Sequence, residues 1–200
     1  MREFALSLSR RRILQLGASL PLALRLGVAG SLGLALTPER ADADETPTPN
    51  SAEGPYFKPR SPERASLRES SVAGDPLVVT GRVLGTDGKP VAKALLDFWQ
   101  ADGDGQYDLA GFRCRGHQFT SAEGTYRLET VVPDYYPGRT RHLHVKVQAP
   151  SKSVLTTQLF FPNDPRNRRD GLYTTWLRMK VVESEGVKNG SFDFVVAVAT

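Results

Sequence analysis

From Asp44 onward, no stretch of the chain repeats apolar residues at 3.6-residue spacing for long enough to make a helix that could bury a core. What recurs instead is a short β-prone run closed by a turn signal, at 77–84, 94–100, 125–131, 142–148, 155–161, 177–182 and 192–198. Asp87-Gly88-Lys89-Pro90 is a clear turn between the first two. Seven or so strands at this spacing predict an all-β domain, an antiparallel β-sandwich with long loops and only short helices within them. A length of 200 residues with 40% hydrophobic content suits one such domain with a real core.

The charge is unevenly spread. Of 26 Lys and Arg and 22 Asp and Glu, residues 1–43 carry six and three. The remainder is close to neutral, so the sequence pI of about 9.3 does not argue for a nucleic-acid partner. Ser9-Arg10-Arg11-Arg12-Ile13-Leu14-Gln15, followed by an apolar run over 16–36 broken only by Arg25, resembles a twin-arginine export signal. Arg25 would be costly at mid-bilayer, so no stable membrane span is expected. Ala41-Asp42-Ala43 fits a small-x-small cleavage pattern. The organisation expected is therefore a signal peptide over 1–43, an extended Pro-containing polar linker over 44–52, and one domain over 53–200, exported to the periplasm or beyond the cell. A twin-arginine route carries proteins already folded, often with a metal inside. Cys114 is the only cysteine, which excludes an intrachain disulfide, and it is expected to be a small packing residue.

His142 and His144 are two apart, so on a strand both side chains leave one face and can share a metal. Taken alone, His-x-His also fits ordinary polar strand residues. Pro137 and Gly138 break the chain just before that strand, so Tyr136 can lie in a turn that folds its ring back toward the histidines. Tyr107 follows the acidic loop Asp102-Gly103-Asp104-Gly105-Gln106 and on its own reads as a half-buried rim residue. That loop looks superficially like a calcium turn, but it lacks the remaining spacing and the distal glutamate of an EF-hand. A hard trivalent cation prefers anionic oxygen, and its charge can drive off a tyrosine proton otherwise held to about pH 10. Two phenolates, a hydroxide and two neutral imidazoles would give a five-coordinate Fe(III) site with room for substrate.

Glu53-Gly54-Pro55-Tyr56-Phe57, Trp99-Gln100-Ala101 through Tyr107, Tyr136-Pro137, the Arg139, His142, His144 spacing and Thr157-Gln158 together resemble the intradiol ring-cleavage dioxygenases. The resemblance runs over about 53–164 and is closest to the protocatechuate 3,4-dioxygenase-like branch. It implies Fe(III) as cofactor, O2 and a catechol-type ring as substrates, and cleavage between the two hydroxyl-bearing carbons to a cis,cis-muconate-type diacid. Tyr107 would be the permanent phenolate ligand, Tyr136 the one released by substrate, and His142 and His144 the imidazole ligands. Arg139 and Gln158 would flank the bound ring. Arg139 also makes sense unaided, because a fixed cation stabilises negative charge on a catecholate in a water-poor pocket. The resemblance leaves a homo-oligomer open.

Two positions depart from the family pattern: Gly138 stands where protocatechuate enzymes have tryptophan, and Arg141 where a small residue or proline is usual. Both are expected to neighbour the pocket and to bear on substrate choice. His117 matches no ligand position and is expected to be structural. The competing reading is a non-enzymatic surface-binding module, since 81–100 also resembles the start of transthyretin-like sandwiches; it leaves Tyr136 to His144 idle. A ferrous cupin also uses His-x-His but places a glutamate shortly after, whereas Val145-Lys146-Val147-Gln148 follows here.

Overall fold

The computed structural model describes residues 46–197, so the expected export signal over 1–43 lies outside the described residues. Nine strands alternate with turns: β1 (Pro76–Gly85), β2 (Leu95–Trp99), β3 (Arg115–Phe119), β4 (Thr125–Val131), β5 (His142–Gln148), β6 (Leu155–Phe160), β7 (Lys180–Ser184), β8 (Val187–Ser191) and β9 (Phe194–Val196). The only helices described are single 3-10 turns, Asn167–Arg169 and Thr175–Leu177.

The strands form two sheets, one ordered β4-β1-β8-β7 with β9 also on β1, the other β3-β2-β5-β6. Each sheet turns one row of alternating side chains inward. Leu77, Val79 and Val83 of β1 and Tyr126 and Leu128 of β4 face Leu96 and Phe98 of β2 and Leu143, Val145 and Val147 of β5 in one buried cluster. Burial of this apolar surface is the main favourable term holding the sheets together.

The sandwich is the architecture expected from the strand spacing, with three differences of detail. First, β1 pairs in parallel with β8 and β9, a choice that depends on the order of distant segments rather than on alternation within any one. Second, β3 and β8 were not expected. Their sequences, Arg-Gly-His-Gln-Phe and Val-Lys-Asn-Gly-Ser, have weak strand propensity and owe their conformation to pairing with β2 and with β1 and β7. Third, the run expected over 177–182 is divided. Leu177 ends a 3-10 turn whose Thr174 hydroxyl accepts from Trp176 N, and β7 starts at Lys180.

The described part of the expected linker is extended but bonded to the sandwich. Thr48 exchanges hydrogen bonds with Val195, its N–H donating to Val195 O (2.9 Å) and its Oγ1 accepting from Val195 N (2.8 Å). Ser51 N donates to Thr156 O, and Thr157 Oγ1 donates to Pro49 O. This strap carries the 53–57 segment across the open face of the β5 sheet.

Leu128 is fully buried on the sheet that does not contain the histidines. Leu128→Ala is expected to lower unfolding free energy by about 2–5 kcal/mol, read as a lower urea midpoint with an unchanged slope. A loss below about 0.5 kcal/mol would place the core elsewhere.

Candidate metal centre

Strand β5 is buried on both faces. Leu143, Val145 and Val147 enter the core, while His142, His144 and Lys146 occupy the opposite face. Register supplies the flanks: His144 stands between Trp99 of β2 and Gln158 of β6, and His142 stands opposite Phe160. The Trp99 ring stacks on His144, with centroids 4.8 Å apart and planes 7° from parallel. Gly54 closes over it, because a Cβ there would lie 3.3 Å from His144 Cε1.

Tautomer follows from the neighbours. His142 Nδ1 lies 2.7 Å from Thr140 O, an acceptor only, so Nδ1 carries the proton and Nε2 presents its lone pair. His142 Nε2 and His144 Nε2 are 3.0 Å apart. His144 Nδ1 is buried without a hydrogen-bond partner among the described residues. Burial pushes His142 down to about 4, helped by Arg139, and pushes His144 well below the usual value, helped by His142 and Arg139. Two neutral imidazoles thus aim nitrogen atoms at one point.

Tyr107 Oη lies 3.5 Å from His142 Nε2. Its loop is fixed by carboxylates used on backbone: Asp102 Oδ1 accepts from Asp104 N and Gln106 N, and Asp108 accepts from Ala110, Gly111 and Arg113 N–H groups. Gly105 is required there, with φ +75 and a would-be Cβ 2.3 Å from Tyr135 O. Asp102 also pairs with Arg113 at 3.2 Å. The acidic loop therefore builds a turn that delivers Tyr107. Burial, and then the neighbouring Tyr136, push the Tyr107 phenol well above its ordinary value.

Tyr136 completes the group. Its ring lies 5.7 Å from that of Tyr107 and 6.0 Å from that of His142. Arg139 N donates to Tyr136 O across Pro137 and Gly138, and Gly138 has φ +81, a turn that needs glycine at this position. Arg139 is clamped on two sides. Its Nη2 donates to Gln158 Oε1 (2.5 Å) and its Nε to Asp170 Oδ2 (2.9 Å). Asp170 also accepts from Thr140 N and Leu172 N, and Gln158 Nε2 donates to Ala52 O.

All six residues singled out in the sequence, Tyr107, Tyr136, Arg139, His142, His144 and Gln158, therefore belong to one cluster. Several of its members were not singled out. Tyr56 stacks on Tyr107 at 4.3 Å, and Trp99 covers His144; both stood within the quoted motifs. Arg115, buried, donates through Nη1 to Tyr56 O and through Nε to Asp108 O. Asp170 has no local sequence signal. Arg141 does not flank the histidines: it donates to Tyr135 Oη (3.0 Å) and Asp134 (3.1 Å) and lies over the Tyr135 ring. As the residue preceding His142, it leaves the chain on the other side.

The remaining candidates are structural. His117 Nδ1 meets Ser61 O at 2.7 Å. Cys114 is buried, and desolvation, then Asp102, push its thiol up to about 12. Among the described residues no three of His, Cys, Asp and Glu cluster as a metal site. The donor set here is instead two imidazoles and two phenols, a nitrogen and oxygen combination that suits a hard or borderline ion. The residues present fit Fe(III).

Residues 52–196 match the family described as Dioxygenase. The chain belongs to this dioxygenase family. Among solved structures it is similar to the dioxygenase domain of a dioxygenase carbohydrate-binding protein fusion from the cellulolytic bacterium Streptomyces sp. SirexAA-E. Identity there is 56%, over 77% of this chain and 100% of that one, with a TM-score of 0.75. Curated relatives include 6-chlorohydroxyquinol 1,2-dioxygenase of Cupriavidus pinatubonensis, 30% identical over 82% of this chain and 69% of that protein. Hydroxyquinol 1,2-dioxygenase of Rhizobium sp. is 36% identical over 50% of this chain and 42% of that protein. The chain thus spans 42–69% of the length of these curated dioxygenases. No helix among the described residues is long and apolar enough to cross a membrane.

Proposed function

We propose that this dioxygenase is an Fe(III) enzyme that opens a catechol-type ring between its two hydroxyl-bearing carbons, using O2 and giving a cis,cis-muconate-type diacid. The observation that carries the reading is the pair of buried Nε2 atoms 3.0 Å apart with Tyr107 Oη 3.5 Å from one of them. Family membership and the names of the hydroxyquinol relatives support it.

Tyr107, Tyr136, His142 and His144 would hold the iron. When bound, ferric iron would supply the positive charge that draws electron density from a catecholate and opens a ring carbon to O2. The Thr140 carbonyl fixes His142 as a donor through Nε2, and Trp99 stacking fixes the plane of His144. Tyr107 sits in a loop locked by Asp102 and Asp108, which suits a ligand that stays. Tyr136 precedes an exposed Pro137-Gly138 turn with open space around Gly138, which suits one that leaves and takes a proton from the incoming diol at Oη.

Arg139, held by Asp170 and Gln158, presents a cation that needs no reorganisation as negative charge develops on the ring. Tyr56, Trp99 and Gly54 limit water at the histidine face. Both atoms of O2 balance into the diacid, so no external reductant is needed.

We further propose that the chain is exported through the twin-arginine signal at Arg10 and Arg11 and that its mature form begins near Asp44. Arg10→Lys/Arg11→Lys should abolish export and leave precursor in the cytoplasm. Unchanged export would remove the twin-arginine assignment.

For the chemistry, turnover under 18O-labelled O2 should place both labels in the ring-opened diacid. Tyr107→Phe should weaken the phenolate-to-iron colour of the loaded protein, and Arg139→Ala should cut kcat/KM at least about 10-fold while iron content holds. Cleavage beside the diol, or a colourless iron-loaded protein, would refute the reading.

A further inference from the structure

The two histidines of β5 are held in different ways. His142 is fixed from behind by Thr140 O, 2.7 Å from its Nδ1. His144 presents Nε2 to His142, but its Nδ1 has no hydrogen-bond partner among the described residues, although the residue is only 2% exposed. With nothing polar behind the ring, its plane is set by what packs on it. Trp99 covers one face, with planes 7° from parallel, and Gly54 closes the Cε1 edge, where a Cβ would come within 3.3 Å. Glu53, Gly54 and Pro55 are themselves exposed, so the cover at that edge is one chain thick.

Lys146 grips that cover. It follows His144 by two residues and so stands on the same face of β5. Its Nζ lies 2.6 Å from Glu53 Oε2 and 3.6 Å from the centroid of the Phe57 ring, an ion pair and a cation–π contact made by one ammonium. The grip therefore brackets Gly54, Pro55 and Tyr56 from both sides. Each contact under the bracket leads to a metal donor. Gly54 meets His144, Tyr56 stacks on Tyr107 at 4.3 Å, and Phe57 packs edge-on at 4.9 Å against Trp99, the ring that stacks on His144. Gln158 Nε2 donating to Ala52 O (2.6 Å) and Arg115 Nη1 donating to Tyr56 O (2.7 Å) hold the backbone of the same segment; Lys146 adds the grip on its side chains.

A role in overall stability alone does not account for this arrangement. The Glu53 side chain is 46% exposed and that of Lys146 22%, and ion pairs so placed add little to folding. Asp97 stands directly opposite Lys146 in the strand register, where a cross-strand ion pair would form. Asp97 accepts from Ser61 Oγ at 2.7 Å, and the Lys146 ammonium turns to the strap. We propose that Lys146 is a positioning residue: through Glu53 and Phe57 it holds the 53–57 strap against the site and so fixes the plane of His144. The consequence for catalysis rests on the reading of His144 as an iron ligand; the packing stands without it.

The test starts from the full chain without metal. In NMR spectra the His144 ring protons should carry an upfield shift from the Trp99 ring current. Lys146→Met, which keeps most of the apolar stem and removes the charge, should shrink that shift and broaden the signals, with a smaller change at His142. Glu53→Gln should do the same, and the double variant should add nothing beyond the larger single effect, because the two residues act as one unit. Calorimetric titration with cobalt(II) should show affinity at least about 10-fold lower in each variant; a thermal melt confirms that each is folded. His144 signals that Lys146→Met leaves in place overturn the proposal, as do additive effects of Lys146→Met and Glu53→Gln. So does a loss of cobalt affinity with His144 unmoved. Turnover of catechol by the iron-loaded chain separates the two readings. Ring opening with His144 indifferent to Lys146 would reject the positioning role alone, and Lys146-dependent His144 signals with no ring opened would reject the dioxygenase chemistry alone.

Discussion

A strand sends successive side chains to opposite faces, and β5 has no face to spare. Leu143, Val145 and Val147 are locked into the core between the sheets, which fixes the direction of His142 and His144 with no freedom to slip. A one-residue register shift would put both histidines into the core and two apolar residues into the site. Core packing and site geometry are thus one constraint, and the flanking strands supply Trp99 on one side and Gln158 on the other as part of the same register.

Everything else in the site is hung on that strand by polar contacts that exclude alternatives. Thr140 O selects the His142 tautomer. Asp170 reaches from the loop after the 3-10 turn to hold both Arg139 and the backbone of Thr140, so the cation and the histidine's anchor move together or not at all. Asp102 and Asp108 spend their charge on backbone N–H groups and so fix the segment that carries Tyr107. Each of these buried or half-buried carboxylates has designated donors.

Much of this was legible in the sequence, for reasons that differ by element. β4 and β5 were read to the residue because alternation and bounding turns agreed. β3 and β8 were not, because Gly116, Gly190 and their polar neighbours are strands only by virtue of the partners beside them. The parallel placement of β8 and β9 on β1 depends on how distant segments fold together, which no local pattern records. The gathering of the six candidate residues into one cluster was legible because residue type, spacing and a family resemblance pointed the same way. Asp170 was not, since its role depends on a contact 31 residues from Arg139. Arg141 was expected beside the pocket from its departure from the family pattern; its contacts are instead with Asp134, Tyr135 and Asp164.

The central claim is that two histidines of β5 and two loop tyrosines hold one ferric ion at a single point. Anomalous diffraction at the iron edge from crystals of the iron-loaded protein tests it most directly. The account predicts one strong peak within bonding distance of Tyr107 Oη, Tyr136 Oη, His142 Nε2 and His144 Nε2. A peak elsewhere, or iron bound by the histidines with both tyrosines turned away, would contradict it.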